Sequence, residues 1–110
     1  LQAGNADEAL NYISKYSTKD KVLGGRAEAL KGDAHCNKEE YAKAASCFEK
    51  AASISDNLFS ATYLLKAGQA YEALGDNTKA LKAYKTIKDQ YAGSIEAYEI
   101  DKYITRLEVK

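Results

Sequence analysis

One segment of this chain occurs three times. Gly4-Asn5-Ala6-Asp7-Glu8-Ala9-Leu10 returns as Gly75-Asp76-Asn77-Thr78-Lys79-Ala80-Leu81, and Glu39-Glu40-Tyr41-Ala42-Lys43-Ala44-Ala45 falls in the same register between them. The steps are 35 residues from Gly4 to Glu39 and 36 from Glu39 to Gly75, and Gly32 and Gly68 are also 36 apart. Self-similarity at a period of roughly 20 to 50 residues marks an array of small supersecondary units. Such a unit cannot bury its apolar face alone, and stacking makes one continuous core.

Local signals divide each period into two helices. The chain has no proline, has valine only at Val22 and Val109, and carries alanine throughout. That is the composition of helices packed closely on small residues. Asn37 followed by Glu40 reads as a capping box, which predicts a helix from about Lys38 through Ala44, Phe48 and Ala51 to Ser53–Ser55. After a polar turn at Ser55, Asp56 and Asn57, the residues Leu58, Leu64, Ala67, Ala70, Tyr71 and Leu74 recur at helical spacing until Gly75 stops them. Asp76 or Asn77 then caps a helix with Ala80, Leu81, Tyr84 and Ile87 on one face, ended by Gly93. Ser94 caps a last helix with an apolar stripe of Ala97, Ile100, Ile104 and Leu107 and charges elsewhere, the look of a capping helix. The N-terminal third repeats the scheme: a helix over residues 5 to 16, a polar link at 17 to 20, then a helix through Leu23, Ala27, Leu30 and Ala34. The expectation is an all-α chain of about six helices forming one domain over 1–110.

These anchors resemble the tetratricopeptide repeat family over nearly the whole chain. The family places a small residue in the first helix of a repeat, an aromatic three residues later, a glycine at the turn, and Ala, aromatic, Ala along the second helix. Leu64, Ala67, Gly68, Tyr71, Gly75, Ala80 and Tyr84, closed by Ile87, are the best copy. Gly32, Tyr41, Ala44, Phe48 and Ala51 are a second, departing from the pattern at His35 and Glu39, and Gly4, Ala9, Ile13 and Tyr16 keep half of a third. The resemblance implies a right-handed superhelical solenoid of antiparallel helix pairs: a partial repeat over 1–20, repeats over 21–56 and 57–93, and a capping helix over 94–110. Physical reasoning reaches part of this independently. Gly32 and Gly68 let paired helices approach, neighbouring aromatics fill the wedge, and stacking leaves a concave surface along the first helices of successive repeats.

More narrowly, the run Ala51 to Asp56, the copy Lys66-Ala67-Gly68 and the ending Ile100-Asp101-Lys102-Tyr103-Ile104 are similar to the tail of bacterial membrane-anchored tetratricopeptide proteins like the ancillary subunit of the secretion translocon. That resemblance implies a periplasmic, inner-membrane-anchored protein that assists protein secretion or complex assembly in the cell envelope. Its membrane contact would come only through an N-terminal anchor, and the opening on Leu1 within helical pattern reads as a cut from a longer protein. The alternative is a cytoplasmic adaptor or co-chaperone that recognises one defined peptide.

Charge and side-chain chemistry narrow the function classes. The 16 basic and 16 acidic residues cancel, so no net field steers the chain to nucleic acid, and the nine tyrosines have no basic track beside them. Cys36 and Cys47 are spaced C-x10-C, which is neither a standard zinc nor a redox signature, and read as two free, partly buried thiols. His35 beside Cys36 resembles a nucleophile pair on paper. Adjacent helical residues point about 100° apart, so the two cannot share a proton-transfer geometry, and His35 reads as a packing residue. Pairs such as Glu28 with Lys31, or Glu49 with Lys50, read as solvated faces. No catalytic, cofactor-binding or metal-binding residues are expected, and no enzyme activity.

The concave side is the expected interaction surface. Register places Arg26, Ala29, Asp33 and Cys36, then Thr62, Leu65, Lys66, Gln69, Glu72 and Ala73, along it. Of these, Arg26, Asp33, Thr62, Leu65, Lys66, Gln69 and Glu72 are the candidate peptide-binding residues. Family members that grip a chain-terminal carboxylate use several Lys, Arg and Asn here, and Ala29, Leu30, Asp33 and Leu65 break that clamp. A mixed groove of this kind suits an extended or helical segment of another protein, and the same positions also suit plain solvent-facing surface. A second contact is expected at the N-terminal edge. The helix with Ala9, Leu10, Ile13 and Tyr16 lacks the first helix of its own hairpin, which favours self-association through residues 1 to 16.

Overall fold

The computed structural model of the chain describes residues 21–55 and 59–108. Their regular structure is entirely helical: α1 (Lys21–Asn37), α2 (Tyr41–Ile54), α3 (Ser60–Leu74), α4 (Asn77–Gln90) and α5 (Ile95–Glu108). The expected helix over 5 to 16, the link at 17 to 20, the self-association edge, and Asp56, Asn57 and Leu58 of the polar turn lie outside the described residues. Each helix packs against the next in sequence, and α3 also touches α5. A single buried cluster runs through all five, from Ala29 in α1 through Phe48, Ala67 and Tyr84 to Ile104 and Leu107 in α5.

The close approach expected at the two glycines is present in both hairpins. A Cβ at Gly32 would stand 2.6 Å from Cε1 of Phe48, and one at Gly68 would stand 2.3 Å from Cε1 of Tyr84. Phe48 and Tyr84 are themselves buried. Each glycine is therefore the floor on which a ring of the partner helix lies, and no larger residue fits without moving that ring. Ala44 and Ala80, again 36 residues apart, are both fully buried.

The turns of the two hairpins share one geometry. At the end of α3, Gly75 has φ +91°, its N–H donates to the Glu72 carbonyl at 3.0 Å, and the Asp76 N–H reaches back to Tyr71 O at 2.8 Å. At the end of α1, Glu39 has φ +59°, its N–H donates to Cys36 O at 2.9 Å, and Glu40 N–H donates to His35 O at 2.8 Å. Both are left-handed closures that satisfy the last carbonyls of a helix, and Glu39 occupies the place of a glycine.

This closure overturns the expected cap at Asn37. Asn37 is the last residue of α1, and α2 begins at Tyr41 after an N-cap residue, Glu40, that makes no side-chain capping bond. The backbone bonds of the closure already fix the chain through Glu40, so Asn37 cannot start a new helix. Instead the Glu40 carboxylate lies 2.9 Å from His35 Nδ1 across the turn. The other caps stand as expected. Asp76 Oδ1 accepts from Lys79 N–H at 3.1 Å, and Ser94 Oγ accepts from Ala97 N–H at 3.2 Å.

Three further expectations change. Leu23, Leu30 and Leu74, placed on apolar stripes by spacing, are about half exposed. On α1 the buried apolar side chains are instead the small ones, Ala27, Ala29 and Ala34, and Gly32 meets the Phe48 ring of α2. Glu28 is not on a solvated face: it is 3% exposed, with Lys31 at 3.0 Å and Lys50 at 3.7 Å from its Oε1. α4 stops at Gln90, ahead of Gly93, with Tyr91 N–H donating to Ile87 O. Cys36 and Cys47 are both free thiols and partly buried.

Candidate functional site

On α3, Lys66, Gln69, Ala70 and Ala73 follow the i, i+3, i+4, i+7 spacing that brings side chains onto one helical face. Asp33 and Cys36 do the same on α1. Where these faces meet, with Tyr41 and Phe48 of α2 behind them, they line a concavity of about 240 Å³. Its floor is apolar: Phe48 and Ala70 are buried, the former pressed under Gly32. Its rim is polar, formed by Asp33, Lys66 and Gln69.

The two charged groups of the rim are each other's partner. Lys66 Nζ donates to Asp33 Oδ1 at 3.3 Å, and the same nitrogen lies 5.5 Å from the centre of the Phe48 ring. The ammonium thus bridges α3 to α1 across the seam while standing over an aromatic floor, a position favoured by the negative face of the ring. Burial, and then the Asp33 carboxylate, push the Cys36 thiol above its ordinary pKa, with Lys66 opposing. At neutral pH the thiol is therefore protonated and a poor nucleophile. Cys47 is raised in the same way, by burial first and then by Glu28.

Among the described residues there is no group of three or more His, Cys, Asp or Glu placed to hold a metal ion, and no helix long and apolar enough to cross a membrane. The buried phenols are held neutral. Burial, followed by a hydrogen bond to a carboxylate, raises Tyr71 through Glu49 and Tyr84 through Glu72. These bonds, 2.5 Å for Tyr71 and 2.8 Å for Tyr84, join neighbouring helices.

The seven candidate residues separate into two groups. Asp33, Lys66 and Gln69 come together on the rim of the concavity. Arg26 is exposed further along α1, and Leu65 is half-buried and packs on the core. Thr62 donates to Glu96 Oε2 at 2.6 Å and ties the start of α3 to the start of α5. Glu72 is engaged internally: besides the Tyr84 hydroxyl, it accepts from Arg106 Nη2 at 2.5 and 2.8 Å, bracketing α3, α4 and α5. Phe48 and Ala70, which sequence assigns to packing, also line the concavity, as does Tyr41. The signal that could have found Phe48 is its pairing with Gly32, since a residue that seals one helix seam is the floor of the next.

Comparison of the chain with protein-family models, with curated proteins and with solved structures finds no match.

Proposed function

We propose that this chain is a non-enzymatic protein-interaction module, and that it takes a segment of a partner protein into the concavity between α1 and α3. The observation that carries this reading is the lining itself: an apolar floor of Phe48 and Ala70 beneath a polar rim of Asp33, Lys66 and Gln69. That combination suits a polypeptide, which offers apolar side chains together with backbone donors and acceptors. The volume favours a side chain over a whole small molecule, since drug-sized ligands occupy roughly 300 to 1,000 Å³.

The finer architecture in this proposal is a tetratricopeptide solenoid coiled as a right-handed superhelix. It is supported by the repeat period, by the two equivalent glycine–ring seams and by the two equivalent closing turns. In the cell, the narrower sequence resemblance favours a periplasmic scaffold anchored in the inner membrane that assists secretion or assembly. A cytoplasmic peptide-binding adaptor is the alternative, and an upstream apolar span of about 20 residues separates the two.

Photo-crosslinking tests the interaction reading. A photo-reactive benzoylphenylalanine at Gln69 of the full-length protein, in its own cells, is expected to give discrete adducts. The same group at Lys82, exposed on α4, is expected to give none of them. Identical adducts from both positions, or none from Gln69, would contradict the proposal.

A further inference from the structure

The concavity holds one positive and one negative group, and they face each other. Lys66 Nζ is 3.3 Å from Asp33 Oδ1, with both side chains close to half exposed. The remaining lining carries no formal charge: Tyr41, Phe48, Gln69, two alanines, and a Cys36 thiol that burial keeps protonated. A carboxylate brought to Lys66 therefore also meets Asp33, and attraction and repulsion largely cancel. An ammonium brought to Asp33 meets Lys66 with the same result. What the site can reward is an apolar side chain on the Phe48 floor, with a neutral backbone amide opposite the Gln69 carboxamide, which both donates and accepts.

We propose that Asp33 is the specificity determinant of this groove: by neutralising Lys66, it selects an uncharged internal stretch of polypeptide carrying one apolar anchor and rejects acidic segments and chain ends. This rests on the reading that the concavity takes a polypeptide segment. It makes the Lys66–Asp33 pair a device of selectivity, since a half-exposed ion pair contributes little to stability.

The test is a selection from a displayed library of random short peptides on the unaltered chain. The strongest peptide is then synthesised with Gln, Glu or Lys beside its apolar anchor. Each version is titrated against the unaltered chain, Asp33→Asn and Lys66→Gln, with circular dichroism confirming that all three chains fold. The unaltered chain is expected to prefer the Gln version. Asp33→Asn is expected to favour the Glu version by about twofold to fivefold relative to the unaltered chain, and Lys66→Gln to favour the Lys version by a similar factor. A merely structural role for the pair would not shift charge preference in opposite directions. If the unaltered chain already prefers the Glu version and Asp33→Asn leaves the ranking unchanged, the groove still binds and the role of Asp33 is overturned. If no peptide is selected, the groove reading falls and this proposal with it.

Discussion

Replacing Glu39 with glycine removes a side chain from a backbone position that disfavours one. Glu39 closes α1 with φ +59°, the role Gly75 plays for α3 with φ +91°. An L residue in the left-handed region costs roughly 1 to 2 kcal/mol, because Cβ crowds the neighbouring carbonyl. Glycine relieves this but gives the unfolded chain more freedom, which returns roughly 0.5 to 1 kcal/mol. The net expectation for Glu39→Gly is a stabilisation of about 0.5 to 1 kcal/mol, or a rise in Tm of roughly 2 to 6 °C for a domain near this size. Urea denaturation followed by far-UV circular dichroism reads the difference, with Glu39→Ala as the control that removes the charge and keeps the strain. The reciprocal change, Gly75→Ala, is expected to destabilise by about 1 kcal/mol. A Glu39→Gly midpoint at or below that of the unaltered chain, with Glu39→Ala above both, would show that charge governs this turn and that the backbone reasoning is wrong.

Gly68→Ala improves helix propensity by about 1 kcal/mol, yet it is expected to destabilise by about 1 to 3 kcal/mol overall, because the new Cβ lies 2.3 Å from the buried Tyr84 ring; equal urea midpoints would refute the seam. Glu40→Gln is expected to lower the urea midpoint at neutral pH and to match the unaltered chain in acid. The His35 hydrogen bond first, and then Lys38 and Lys43, hold the Glu40 carboxyl below its ordinary value of 4.5. Its contribution is therefore present above that pH and lost as pH falls through the lower folded value; a difference that persists undiminished well below pH 4 would remove this assignment.

The parts of the fold legible in sequence are those decided by neighbours along the chain. Gly75 stops α3, Asp76 and Ser94 cap the helices that follow them, and the 36-residue spacing of Gly32 and Gly68 marks the two seams. Asn37 misled because the closure at Glu39 carries no glycine to announce it, and a sequence with Asn and Glu three apart is indistinguishable from a true cap. Helical register put Asp33, Lys66 and Gln69 on the concave side together with Arg26, Thr62, Leu65 and Glu72, and it could not tell which of the seven share one concavity. The internal engagement of Glu72 and Thr62 was not legible either, since Arg106 and Glu96 each stand 34 residues away and register says nothing of partners at that distance. Glu28 was missed for a related reason: a carboxylate on an Ala-rich helix reads as solvated until its two cationic partners are placed, Lys31 one turn along α1 and the largely exposed Lys50 reaching in from α2.

The measurement that bears most directly on the central claim is a nuclear magnetic resonance titration of the chain with the peptide selected on it, following every backbone amide. Binding between α1 and α3 predicts that the largest shifts fall at Asp33, Cys36, Lys66, Gln69 and Ala73, with little change at Lys82, Lys85 and Asp89 on α4. Shifts concentrated on α4, or spread evenly over all five helices, would contradict it.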